Sequence, residues 1–148
     1  MLLLIGYGNP LRTDDGVGQA VAETIATSPE TRSFRGSLET IACHQLLPEH
    51  AEAISQADRV IFVDAEAGPA PGQISLREIE PDAAGSAGLI HDFTPQTLLA
   101  YAKLLYGHAP PATLITVGGY SFEHGEGLSP EMTAVLPALL AQVLLLLK

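Results

Sequence analysis

The 148-residue chain contains one cysteine, no tryptophan and only seven lysine and arginine residues. A single cysteine excludes an internal disulfide framework and any cysteine-rich zinc or iron–sulfur site. Against the seven basic residues stand 17 Asp and Glu, so the net charge is −10 with histidine neutral. With no basic run, the chain is a poor candidate for nucleic-acid binding, which needs Lys and Arg to neutralise phosphates. The same balance disfavours attraction to an anionic membrane surface. No apolar run reaches the roughly 20 residues of a membrane span. The longest, residues 132–147, is interrupted by Pro137 and Gln142 and reads as a buried C-terminal helix. Residues 1–5 are apolar but too few for a signal-peptide core, and no basic segment precedes them. The expectation is a cytoplasmic protein that uses neither nucleic acid nor membrane.

What the chain does have is apolar patterning. Apolar residues make up 47% of it, enough for one domain with a sizeable core over residues 1–148. Short β-rich runs alternate with longer helical patterns. Residues 2–5 form a continuous apolar run ending at Gly6, as a buried strand does. Residues 16–27 space Val17, Ala20, Val21, Thr24 and Ile25 as a helix, with Asp14 or Asp15 placed to cap it. Residues 37–43 alternate like a strand, and residues 48–57 read as a helix with Pro48 in its first turn. Residues 59–63 are the clearest buried strand and run into Asp64. Residues 73–79 alternate as an edge or antiparallel strand does. Residues 95–106 form a helix between the N-cap Thr94 and the C-cap Gly107. Residues 113–120 form another strand, and Ser129-Pro130-Glu131 opens the last helix.

This order predicts a three-layer α/β domain of the phosphorylase/hydrolase-like kind. Its mostly parallel, twisted sheet of about five strands has helices on both faces. Loops rich in Gly, Pro and Ala at residues 68–72, 81–88 and 123–129 are candidate borders of a site.

In an open parallel sheet, ligands bind beyond the carboxyl ends of the strands. The segment after the first strand carries Asp14 and Asp15, and the third central strand runs into Asp64. Asp15 and Asp64 can therefore face one pocket, and His91, just before a helix, can join them. Two carboxylates and an imidazole suit a borderline divalent metal such as nickel, zinc or manganese. Two carboxylates can also share acid and base work around a water. Local rules alone explain Asp14 and Asp15 equally well as helix caps and Asp64 as a turn residue. A single imidazole among His44, His50, His91, His108 and His124 is more often a surface group than a ligand. Cys43 reads as a buried small hydrophobe.

The longer motif is more specific. Gly6-Tyr7-Gly8-Asn9-Pro10-Leu11-Arg12-Thr13-Asp14-Asp15-Gly16-Val17-Gly18 resembles the N-terminal signature of the [NiFe] hydrogenase maturation endopeptidases. The resemblance continues through Ile61-Phe62-Val63-Asp64-Ala65, through His91 before the next helix, and through Gly127-Leu128-Ser129-Pro130. It implies an endopeptidase that removes the C-terminal extension of a hydrogenase large-subunit precursor after nickel insertion. It implies that Asp15, Asp64 and His91 contact nickel supplied by that precursor, and that Asp15 or Asp64 activates water. It further implies substrate contacts at Gly8, Asn9 and Asp14. Two other families share parts of the pattern. Peptidyl-tRNA hydrolases begin similarly but carry a histidine soon after the motif, and here none precedes His44. Phosphoryl-accepting receiver domains have similar acidic residues after the first and third strands. They also need a lysine after the last strand, and residues 113–120 offer none.

Overall fold

The computed structural model describes residues 1–34, 37–68, 70–82 and 93–148. Among these residues five strands form one sheet: β1 (Leu2–Tyr7), β2 (Leu38–Cys43), β3 (Arg59–Glu66), β4 (Ile74–Ile79) and β5 (Ala112–Gly118). Their order is β2-β1-β3-β5-β4. All pairs are parallel except β4 with β5, so the antiparallel strand read from residues 73–79 lies at an edge. Four α-helices among the described residues cover the sheet: α1 (Val17–Thr27), α2 (Ala51–Gln56), α3 (Pro95–Tyr106) and α4 (Pro130–Leu147). The expected α/β class, with a mostly parallel sheet between helices, is the class observed.

Alternation along the central strands builds the two cores. Leu3, Ile5, Val60 and Phe62 pack with Ile54 of α2 and with Leu98 and Leu99 of α3. Leu4, Ile61 and Val63 pack on the opposite face with Val17 and Val21 of α1 and with Met132, Leu139 and Val143 of α4. Because both faces are covered, these strands read as unbroken apolar runs. Each such side chain contributes about 1.5–3 kcal/mol on burial, so the β1–β3 pair is the stiff base beneath everything else.

Several expected boundaries hold and others move. Thr94 caps α3 by accepting from the Thr97 N–H at 3.0 Å, and Gly107 ends it in the left-handed conformation at φ 80°. Ser129 caps α4 by accepting from the Met132 N–H at 3.1 Å. Residues 48–57 are not one helix: Pro48–His50 form a 3-10 turn before α2 begins. Likewise a 3-10 turn, Thr13–Gly16, precedes α1, and no side chain caps the helix itself. The strand at residues 113–120 ends at Gly118.

Helix α4 is not buried all round, as its composition suggested. It is long and apolar enough to pass for a membrane span, with mean hydropathy 1.7. Yet Met132, Leu139, Val143 and Leu147 form a buried stripe at helical spacing, while Leu145 on the outer side is 62% exposed. Arg59 of β3 donates to the Leu146 carbonyl at 2.8 Å, satisfying one acceptor in the last turn.

Two glycines let α1 lie directly on the sheet. A Cβ on Gly6 would fall 1.9 Å from the Gly18 carbonyl oxygen, and one on Gly18 would fall 2.3 Å from that of Val63. Backbone atoms cannot yield as a flexible side chain does. Gly18→Ala is therefore expected to cost about 3 kcal/mol or more in urea denaturation. A loss below about 1 kcal/mol would show that α1 has room to shift.

Candidate functional site

The hydrogen-bonded register locates the site. Pairing of β1 with β3 ends at Gly6 and Val63, whereas β3 stays paired with β5 as far as Glu66 and Gly118. Past Gly6 the β1 chain turns away, and a crevice opens at the carboxyl ends of the central strands. The chain runs from β1 to β2 on one side and then crosses from β2 back to β3 on the other, which makes this the switch point where open α/β sheets bind ligands. Asp64 was expected to follow its strand. It lies inside β3 instead, paired in register with Thr116. Residues 60 and 62 face the α2–α3 side, so alternation places Asp64 on that side too.

A cleft of about 800 Å³ fills this crevice and includes Asp15, Asp64, Gly8 and Asn9 among its walls. Tyr7, Arg12, His44 and Phe93 also line it. Four of the six residues proposed from the sequence are thus brought together. His91 lies outside the described residues. Asp14 is the exception: it is fully buried and turned away from the cleft. Its Oδ2 accepts from the Tyr120 N–H (2.8 Å), the Ser121 N–H (3.1 Å) and the Ser129 hydroxyl (2.9 Å), and its Oδ1 accepts from the Ser129 N–H (2.8 Å). No surface remains for substrate, and the carboxylate does not cap α1. Asp14 is a structural tie between the first loop, the segment after β5 and the start of α4.

Asp15 is held from the other side of the same turn. Its Oδ2 accepts from the Asn9 N–H at 2.8 Å. The Arg12 N–H donates to the Asn9 carbonyl at 3.1 Å, and the Asp15 N–H donates to the Arg12 carbonyl at 3.2 Å. These interlocked turns fix the Asp15 carboxylate on a rigid loop at the cleft wall.

Asp64 accepts from the Ala65 N–H at 2.8 Å and from the Tyr7 hydroxyl. Burial is the largest influence on it and lifts its pKa to about 7; the two hydrogen bonds oppose the rise, and the charges of Asp15 and Glu66 add to it. Tyr7 is pushed above the ordinary phenol range, first by burial and then by Asp64. Cys43 is half-buried rather than buried and lines a second cavity of about 440 Å³. Asn9, His44, Gln45 and Leu47 line both cavities, so they form one groove across the ends of β2, β1 and β3. Among the described residues, no three His, Cys, Asp or Glu side chains stand close enough to enclose a metal ion. Asp15 and Asp64 are the carboxylates among the described residues that line the cleft.

The same architecture occurs in solved structures. Hydrogenase 2 maturation peptidase from Thaumarchaeota archaeon SCGC_AB-539-E09 superposes with TM-score 0.70 at 22% identity, over 99% of this chain and 97% of its own. The E. coli hydrogenase maturating endopeptidase HybD gives TM-score 0.70 at 23% identity, over 96% of this chain and 88% of its own. The [NiFe] hydrogenase maturation protease HybD from Thermococcus kodakarensis gives 0.73 at 17% identity, over 99% of both chains. The fold is that of the hydrogenase maturation peptidases. No protein-family model matches the sequence, and no curated protein sequence does.

Tyr7, Arg12, His44 and Phe93 were not singled out from sequence as site residues. For Tyr7 a usable signal existed, since it ends a buried strand where the carboxyl-end rule applies. His44, weighed only as one of five imidazoles, follows the end of β2, so the same rule applies to it; for Phe93 there was no signal, because its place in the cleft depends on how α3 approaches β1.

Burial of Asp64 makes a testable claim about stability. Its folded pKa of about 7 lies above the unfolded value near 3.9. The stabilising contribution of the protonated form is complete below about pH 4 and is lost as pH rises through about 7. In chelator, the free protein is expected to lose on the order of 2–4 kcal/mol over that interval on this account. Asp64→Asn should remove that slope, as read by urea denaturation at a series of pH values. Parallel curves for the two proteins would show that Asp64 ionises freely.

Proposed function

We propose that the chain belongs to the [NiFe] hydrogenase maturation endopeptidases. On this reading it removes the C-terminal extension of a hydrogenase large-subunit precursor in the cytoplasm, after nickel has been inserted. The observation that carries the reading is the convergence of Asp15 and Asp64 on one cleft at the sheet's switch point, in the fold of the maturation peptidases. The motif that resembles the family's signature supplies both the loop that holds Asp15 and the tie made by Asp14.

Nickel belongs to the substrate in this scheme. Asp15 and Asp64, with His91 as the imidazole implied by the resemblance, are the groups that would meet it, and oxygen and nitrogen donors suit it. Seated in the precursor, nickel marks the mature substrate and fixes the cleavage point beside the cleft, so that positioning supplies much of the rate. Asp64 is the better proton acceptor for the attacking water, because burial lifts it towards neutrality. Asp15, held by the Asn9 N–H, keeps its other oxygen for the substrate. The groove over Cys43–Leu47 gives an extended tail a path away from the carboxylates.

Mass spectrometry of a co-expressed large-subunit precursor, with and without the chain, tests this reading. A defined C-terminal peptide should be lost only when the chain is present. Asp15→Asn and Asp64→Asn should each slow the loss by about 100-fold or more, His91→Ala should abolish it, and precursor made without nickel should stay intact. Normal processing by Asp64→Asn would sink the site assignment. Efficient cutting of nickel-free precursor would remove nickel as the recognition element.

A further inference from the structure

Arg12 is the only lysine or arginine lining the cleft among the described residues. It makes no ion pair among those residues, although the Asp15 and Asp64 carboxylates line the same cleft. The side chain is held in place: its Nε donates to the Phe122 carbonyl at 3.3 Å. That bond leaves the other donors of the planar guanidinium fork for a partner. The backbone around it is also fixed. Thr13, the next residue, has φ 54°, a conformation that a β-branched residue rarely adopts. It is kept there by its N–H on the Gly125 carbonyl at 3.1 Å and its hydroxyl on the Glu123 carbonyl at 2.6 Å. Gly125 in turn donates to the Leu11 carbonyl at 3.0 Å. A strained loop clasped on two sides thus presents one cation at the wall of an otherwise acidic cleft.

We propose that Arg12 holds the carbonyl oxygen of the scissile peptide bond and the negative charge that gathers there during hydrolysis. The inference rests on reading the site as a peptide hydrolase. Two carboxylates make the cleft hostile to a developing oxyanion, and a preplaced guanidinium offsets that repulsion where the charge appears. Arg12 is exposed in the free protein, and a protein substrate covering the cleft would strip water from it and strengthen the interaction. The step balances without a further reactant. Water's oxygen bonds to the acyl carbon while a cleft carboxylate takes one proton. Collapse of the tetrahedral adduct breaks the C–N bond, and that proton passes to the leaving nitrogen. The new acid ionises, and its carboxylate remains against Arg12 until release.

The test is steady-state cleavage of nickel-loaded large-subunit precursor by wild type, Arg12→Lys and Arg12→Ala, with melting temperatures measured alongside. Arg12→Ala is expected to lose about 100-fold in kcat with little change in KM. Arg12→Lys should retain part of the rate, and millimolar guanidinium should restore part of it to Arg12→Ala at an unchanged melting temperature. Three results would overturn the proposal: kcat of Arg12→Ala close to wild type, a rise in KM alone, or a rate loss that tracks a lower melting temperature and resists guanidinium. A wild-type protein that cuts no precursor would instead overturn the reading of the site as a hydrolase.

Discussion

A buried carboxylate organises this molecule. Asp14 has no exposed surface and accepts four hydrogen bonds, three from backbone N–H groups. It joins the loop after β1 to two segments more than 100 residues further along the chain, the stretch after β5 and the N-terminus of α4. A charge removed from water is tolerable only when such donors replace the lost hydration. The donors exist because residues 120–121 turn back and because Ser129 begins a helix whose first N–H groups are free. Together with the bonds from Thr13 and Gly125, that tie fixes the turn that carries Arg12 and Asp15 against the chain after β5.

The neighbouring acid does the opposite. Asp14 is fully satisfied and closed off, whereas Asp64 keeps its place at the cost of a pKa raised to about 7. Adjacent acidic residues on one loop and a third on a neighbouring strand thus divide into one that holds the fold and two that face a cleft. The low count of basic residues matters here. With only seven Lys and Arg in the chain, each placement of a cation is informative. Arg59 closes the end of α4, and Arg12 stands at the cleft wall with no ion pair among the described residues.

Much of the architecture was legible because it follows from local rules. The caps of α3 and α4 use Thr94, Gly107 and Ser129 in the positions their side chains and backbone favour. The unbroken apolar runs of β1 and β3 reflect burial on both faces. The misplaced end of β3 has a physical cause. Asp64 reads as a turn residue in sequence, but β5 continues to pair with it and with Ala65 and Glu66, and ladder bonds outweigh propensity. The outer face of α4 could not be read from a stretch that is apolar nearly all round, because only the sheet decides which stripe is covered.

Composition and motif alone pointed to the class of fold, to the strand ends that line the cleft, and to Asp14, Asp15 and Asp64 as candidate acids. These follow from periodicity and from the carboxyl-end rule, both of which act over short stretches of chain. Only the tertiary structure decided which of two consecutive aspartates is structural. Asp14 and Asp15 have the same chemistry and the same local propensity, so no local rule separates them. What separates them is whether distant backbone N–H groups arrive to replace water, and that depends on where α4 begins and how the chain after β5 returns. The contact of Tyr7 with Asp64 and the place of Arg12 at the cleft wall were decided in the same way, by segments distant in sequence.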